Sequence, residues 1–196
     1  MAAGSKGSVG DGATGRLRSR PGSKDGTVAR GVYEVRCYEG IRGEDGVVRG
    51  ALKWSERVRN LVTDEGCNHI LSIVLDGGTQ ITTWYVGLKD TGNPAAGDTM
   101  SSHSGWTEFT SYDETTRRTW TGGTVAAKSV DNSASPATFT INATGTVGGC
   151  FLTSNNTKSG TTGTLYSAVN FTQSRSVVDN DVLDVIYTFT LADDGV

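Results

Sequence analysis

Alternating apolar and polar positions predict a series of β-strands from residue 81 onward. The clearest is VLDVIYTFTL at residues 182–191, in which the odd-numbered residues are all apolar and share one face. Turn-forming stretches such as DNSASP and TSNNTKSGTTG separate the shorter strands. Those strands are expected at 81–88, 124–131, 137–142, 146–153 and 164–171. Six short strands with turns at this spacing indicate a mainly β protein with a β-sandwich or jelly-roll-like body.

One segment has helical periodicity. In TDEGCNHILSIVLDGG the apolar residues recur at the spacing of one helix face, which predicts a short helix at about 64–76. Thr63 or Asp64 can cap its start, and Gly77 can end it. The apolar stripe consists of Cys67, Ile70, Leu71, Val74 and Leu75. His69 lies beside this stripe, and we interpret it as an ordinary helix residue, partly exposed or hydrogen-bonded, with no catalytic role.

Two further strands precede the helix. VYEVRCYE alternates apolar and polar residues, the turn signal Glu44-Asp45-Gly46 follows, and VVRGALKW can return alongside it. The sequence therefore predicts a β-hairpin region at 31–62, placed at the entrance of a body formed by residues 63–196.

The first 30 residues differ in composition from the rest. They are rich in Gly and Ser, have almost no residues that could build a core, and predict an extended N-terminal arm. Six basic against two acidic residues give this arm a net charge of +4, which leaves −7 for the other 166 residues. We expect the arm to lie on an acidic surface, either protein or nucleic acid. Without interleaved aromatics or regular spacing it predicts no specific nucleic-acid recognition. The basic residues are Lys6, Arg16, Arg18, Arg20, Lys24 and Arg30.

Composition adds few constraints. Glycine and threonine each supply 27 residues, which favours strands and turns over helices. The three cysteines, Cys37, Cys67 and Cys150, lie far apart in apolar patterns, and we interpret them as buried free thiols of a protein made in a reducing compartment. Neither a metal site nor a cofactor site is predicted. No apolar run is long enough for a signal peptide or a membrane span.

The segment SHSGWTEFTSYDETTRRTW at 102–120 is the strongest candidate for chemistry. A serine hydrolase is not supported, because His103 is adjacent to its candidate nucleophile Ser104 and no G-x-S-x-G motif is present. A glycosidase needs two carboxyl groups that converge on one pocket. The acids of this segment lie close to Arg117 and Arg118 in a polar stretch, so we expect solvated ion pairs. The prediction is that the protein is not an enzyme.

Aromatic residues give the same segment a second interpretation. They can stack against sugar rings, or they can pin a long loop onto the sandwich or onto another subunit. The candidate surface or interface residues are Trp106, Tyr112, Arg117, Arg118 and Trp120.

Four motifs follow one another along the chain: WYVGL at 84–88, AGDTMSSHSGWTE at 96–108, NSASPATFTINAT at 132–144 and CFLTSNNTKSGTTGTLYS at 150–167. This succession, over roughly residues 50–190, resembles a family of small structural proteins of tailed bacteriophages, encoded among the head genes. The resemblance implies a capsid decoration, or cement, protein on the outside of the expanded head. The expected partner of such a protein is the major capsid protein. The resemblance supplies no catalytic residues to assign to this chain.

These expectations define a virion protein that is made in the bacterial cytoplasm and ends on the capsid exterior. By analogy with other icosahedral shells it is expected to form a homo-dimer or homo-trimer. No membrane partner is expected. The alternative is a tail-associated or receptor-binding protein that contacts host glycans through the 102–120 segment.

Overall fold

A computed structural model describes residues 27–193, and within that range the chain forms eleven β-strands and one α-helix. The elements in chain order are β1 Thr27–Gly43, β2 Gly46–Arg59, β3 Leu61–Val62, α1 Asp64–Leu75, β4 Trp84–Gly92, β5 Trp106–Phe109, β6 Arg118–Trp120, β7 Ser129–Asp131, β8 Ala137–Thr140, β9 Gly145–Thr153, β10 Leu165–Val177 and β11 Val182–Asp193.

The strands form two antiparallel sheets. The first sheet has the order β2-β1-β11-β7, with β8 also paired to β11. The second has the order β3-β10-β9-β4-β5, with β6 also paired to β4. Apolar side chains from the inner faces of both sheets form one main core. The prediction of a mainly β, sandwich-like body with one short helix is confirmed.

The predicted strands are present, but several boundaries differ. The strand predicted at 81–88 begins at Trp84, because residues 81–83 lead from the helix into the sheet. The strand predicted at 124–131 is reduced to Ser129–Asp131. β10 continues to Val177 through the polar residues TQSRS. Of these residues, Arg175 and Ser176 pair with β9, after a register shift between Asn170 and Arg175 that alternation alone does not reveal.

The hairpin is part of the sandwich and not a separate entrance region. β1 pairs with β11 over twelve positions, from Thr27 opposite Asp193 to Tyr38 opposite Val182. Tyr33, Val35 and Cys37 on β1 therefore face the core. Four residues assigned to the N-terminal arm, 27–30, belong to this strand, and Arg30 pairs with Thr190.

Buried polar contacts join the two sheets. Tyr33 Oη lies 2.8 Å from Ser167 Oγ, and the two side chains are fully buried. The three cysteines are free; Cys37 and Cys150 are buried as predicted, whereas Cys67 is only half-buried because it lies on the helix. Within residues 27–193, no helix has the length and apolar character needed to cross a membrane.

Candidate functional site

A bidentate ion pair occupies the centre of the 102–120 segment. Arg117 is buried, and its Nε and Nη2 donate to the two carboxylate oxygens of Glu108 over 2.9 and 2.8 Å. The guanidinium also donates to the carbonyl oxygens of Asn155 and Gly160, each at 2.9 Å. The expectation of a solvated pair is therefore wrong. Because all these contacts are internal, the pair closes the segment onto the loop after β9, with neither charge free for a substrate.

Trp106, the first residue of β5 within this segment, is buried and only 3% exposed. Its indole N–H donates to Asp98 Oδ2 over 2.9 Å, and its ring packs against Phe151 with centroids 5.1 Å apart. His103 stacks on the Trp106 ring, at 4.2 Å between centroids, with Nδ1 3.0 Å from the carbonyl oxygen of Thr99. A cavity of about 210 Å³ beside them is lined by His103, Trp106, Glu108 and Arg117 among others. Trp106 is thus a packing residue and has no free face for a sugar ring.

The other candidates of the segment are divided between core and surface. Tyr112 is fully buried, and its ring is in edge-to-face contact with Phe139 at 4.9 Å. Lys158 Nζ lies 3.8 Å from the Tyr112 ring centroid and donates to its carbonyl oxygen over 2.7 Å. Arg118 and Trp120, on β6, are half-buried. The structure therefore does not bring Trp106, Tyr112 and Trp120 together on one surface.

Lys89 is a second buried group with chemical potential. Its side chain is fully buried, and Nζ donates to the carbonyl oxygens of Asp90 and Gly92, each at 2.9 Å. Burial lowers the pKa of Lys89 to about 8. The donated hydrogen bonds fix the end of β4, so we assign this lysine a structural role.

An apolar groove opens at the end of the sandwich next to α1, and we call it the α1 groove. It has a volume of about 350 Å³. Its walls come from the helix, both sheets and the segment after β6, and include Ile70, Ile73, Trp84, Trp120, Val125 and Phe189. Of the five candidates from the 102–120 segment, Trp120 is the one that lines it, and its indole N–H donates to the carbonyl oxygen of Tyr187 over 3.1 Å.

Helix α1 is held by its first turn. Thr63 caps the helix by accepting a hydrogen bond from Gly66 N over 3.0 Å. A Cβ at Gly66 would lie 2.3 Å from the carbonyl oxygen of Tyr166, so only glycine permits this contact between helix and β10. Further along, His69 meets Trp84 edge to face, with centroids 5.5 Å apart, on the groove side.

The outer part of the predicted apolar stripe faces away from the protein. Leu71, Val74 and Leu75 are 55, 70 and 78% exposed, respectively. A helix in a monomer normally buries such a stripe against the core. The stripe of α1 is therefore shared between the groove wall and open surface, which sequence periodicity alone does not distinguish.

A second apolar cluster lies on the turn-side half of the β1–β2 hairpin, residues 40–52, which we call the hairpin tip. Ile41 and Val48 are cross-strand partners, and both are more than half exposed, as is Leu52. The opposite face of the tip is anchored: Arg49 Nη2 donates to Asp184 Oδ1 over 2.6 Å and to Thr138 Oγ1 over 3.1 Å. Alternation in the sequence does not reveal this cluster, because VVRGAL places two valines side by side and the hairpin extends past Val182, where β11 begins.

The predicted basic arm lies largely outside the described residues, which include none of Lys6, Arg16, Arg18, Arg20 and Lys24. Arg30 is an exposed residue of β1. Among residues 27–193, no group of three His, Cys, Asp or Glu side chains is arranged to hold a metal ion.

The chain matches no protein-family model, and a search of curated proteins finds no relative. The functional argument therefore depends on the chain's own residues.

Proposed function

We propose that this protein is a non-enzymatic structural component of a tailed-phage virion: a decoration protein that binds the outside of the expanded head and stabilises contacts between major capsid protein subunits. The resemblance of residues 50–190 to head-encoded phage proteins suggests this role. The main structural support is the placement of exposed apolar surface at both ends of a rigid sandwich. Large exposed apolar patches are typical of protein interaction sites.

The contacts within the 102–120 segment support the same proposal. Glu108 and Arg117 neutralise each other, and Trp106 is covered by the loop that surrounds it. Residues of these types also occur in active sites, but here their polar groups bond to one another and to the surrounding loop and hold that loop in place. A glycan-binding role would need an exposed aromatic face, and Trp106 and Tyr112 do not offer one.

The basic segment before β1 supports attachment to a shell. Residues 1–26 contain five basic and two acidic residues, a net charge of +3. Basic residues at this density attract an acidic partner surface over roughly one Debye length, about 8 Å at physiological salt. Many copies on one shell would add their effects, so no single contact needs to be strong.

Cosedimentation with expanded, decoration-free phage heads tests the proposal. We expect saturable binding by the full chain and weaker binding by a variant that starts at Thr27. The truncation must stop there, because residues 27–30 pair with β11. A full-length variant with Lys6, Arg16, Arg18, Arg20 and Lys24 changed to Gln separates charge from length. If its affinity falls as far as that of the truncation, charge is the cause.

The controls define the outcomes. Unexpanded heads test whether binding requires the mature shell, and raised salt should weaken arm-dependent binding. If the full chain binds no head form at any salt concentration, the decoration role is wrong. Binding that the truncated and Gln variants retain in full would keep the decoration role but reject the contribution of the arm.

A further inference from the structure

We propose that copies of this chain bind one another head to tail, with the hairpin tip of one copy inserted in the α1 groove of the next. The starting observation is the distribution of exposed apolar side chains. Of the nine large ones among the described residues, three lie on the hairpin tip, three lie on α1, which forms one wall of the groove, and one lines the groove itself. The tip residues are Ile41, Val48 and Leu52, the α1 residues are Leu71, Val74 and Leu75, and Val125 lines the groove, whereas Val178 and Leu191 belong to neither cluster.

The two clusters lie at opposite ends of the sandwich. The ladder between β1 and β11 fixes this arrangement, because Gly31 pairs with Phe189, which lines the groove, whereas Tyr38 pairs with Val182 at the other end. The hairpin continues beyond Tyr38 to the turn at Gly43 and Gly46. A strand advances about 3.3 Å per residue, so the turn is roughly 40 Å from the groove. The tip therefore cannot fill the groove of its own chain.

The shapes and chemistry of the two clusters match. The tip is a two-stranded ribbon that carries aliphatic side chains on one face, and the groove is a concave apolar site with aromatic walls. A cavity of about 150 Å³ accommodates a benzene molecule. The α1 groove, at about 350 Å³, has room for the neighbouring side chains of Ile41 and Val48. No carboxylate, lysine or arginine is among the residues that line it.

Charged residues near the two clusters also favour insertion of the tip in the groove. The turn of the tip carries Glu44 and Asp45, both exposed. The segment that contributes Val125 to the groove also carries Lys128, which is exposed and of opposite sign. Pairs of this kind at an interface rim contribute mainly to orientation and association rate.

A second copy is the occupant that accounts for both features. One molecule contains both halves of the contact, and neither half is covered within the described chain. A head-to-tail contact is heterologous, so it generates a closed ring when the rotation between copies closes and a filament when it does not. Two α1 helices that paired about a two-fold axis would instead leave the tip exposed.

Sedimentation velocity of the full chain and two charge variants tests this arrangement. Ile41→Asp disables the tip and leaves the groove intact, whereas Val125→Asp disables the groove and leaves the tip intact. Both positions are more than half exposed, so neither change disturbs the core. Ser174→Asp, at an exposed position of β10 outside both clusters, is the matched control.

We expect the wild type and Ser174→Asp to self-associate as concentration rises. Each single variant should sediment as a monomer at concentrations where the wild type is assembled. The decisive sample is an equimolar mixture of the two variants, because one intact tip and one intact groove remain. That mixture should form a one-to-one dimer and nothing larger.

Three results would overturn the inference. The wild type could stay monomeric at every concentration tested. Ile41→Asp could assemble like the wild type while Val74→Asp, on the outer face of α1, does not, which would indicate helix pairing. The mixed variants could remain monomeric while the wild type assembles. None of these results depends on phage heads, so failure of this inference and failure of the decoration role are separately visible.

Discussion

The guanidinium of Arg117 and the carboxylate of Glu108 form a buried bidentate pair that joins β5 to the start of β6. Removing one partner leaves the other charge buried without compensation. Arg117→Met should therefore lower the free energy of unfolding by about 3–5 kcal/mol, as measured by urea denaturation. The Arg117→Met/Glu108→Leu double variant should recover part of that loss, because no buried charge remains.

An exposed ion pair supplies the control for this prediction. Arg36 and Glu34 also form an ion pair, but both are considerably more exposed to solvent. Arg36→Met should change the free energy of unfolding by no more than about 1 kcal/mol. Equal effects at the two arginines would show that burial of the Arg117 pair does not matter to stability.

Trp106 and Trp54 form a natural pair for testing the buried indole. The N–H of Trp106 donates to Asp98, whereas the buried N–H of Trp54 has no hydrogen-bond partner among the described residues. Both can be changed to Phe. Trp106→Phe should cost about 1–2 kcal/mol more than Trp54→Phe in urea denaturation, because it leaves a carboxylate without its donor. Similar losses would mean that the hydrogen bond to Asp98 contributes little.

Gly40 determines where the hairpin tip lies relative to the body. A Cβ at this position would lie 1.6 Å from the carbonyl oxygen of Asn180, a backbone atom that cannot rotate away. Gly40→Ala should therefore lower the free energy of unfolding by about 1–3 kcal/mol and weaken self-association, as followed by denaturation and sedimentation. Gly97→Ala is the control, since its Cβ would meet nothing within 4 Å.

Cys37 makes stability depend on pH. Burial, with the nearby carboxylate of Asp181, raises the pKa of Cys37 to about 12. An unfolded thiol ionises near pH 8.5, so above that value the unfolded chain loses a proton that the native thiol keeps. The stabilisation is complete below pH 8.5 and declines as pH rises towards 12.

The measurement compares denaturation of the wild type and Cys37→Ala at pH 7 and pH 10. The wild type should lose about 2 kcal/mol more than the variant over that interval, since each pH unit above the unfolded pKa is worth about 1.4 kcal/mol. Identical pH slopes would show that the Cys37 thiol is not the source of the dependence. Comparing the slopes removes the contribution of the other titrating groups.

The sequence predicted the strands with clear alternation because a period of two leaves few alternatives. β11 and β8 differ from their predictions by at most two residues at each boundary. The helix was predicted from its cap and its periodicity, and it ends at Leu75 instead of 76. Short bridging strands such as β5 and β6 were not predicted, because their pairing depends on the neighbour β4 more than on their own pattern.

The candidate site was harder to predict for a different physical reason. The polar pattern around Arg117 predicts that its side chain is exposed to solvent. Its burial instead depends on the carbonyl groups of Asn155 and Gly160, which are more than 35 residues away along the chain. The apolar stripe of α1 likewise indicates a buried face without indicating which molecule buries it. Both properties arise from long-range contacts, to which local periodicity is insensitive.

The placement of the hairpin tip and the α1 groove at opposite ends of β1 also has a mechanical consequence. In a head-to-tail assembly, tension between neighbours would act nearly parallel to β1, which is paired with β2 on one side and β11 on the other. The ladder hydrogen bonds lie perpendicular to the strands. A pull along β1 therefore loads the twelve paired positions with β11 in shear, all at once, instead of opening them one by one. Such a protein would resist stretching of the surface to which it is attached.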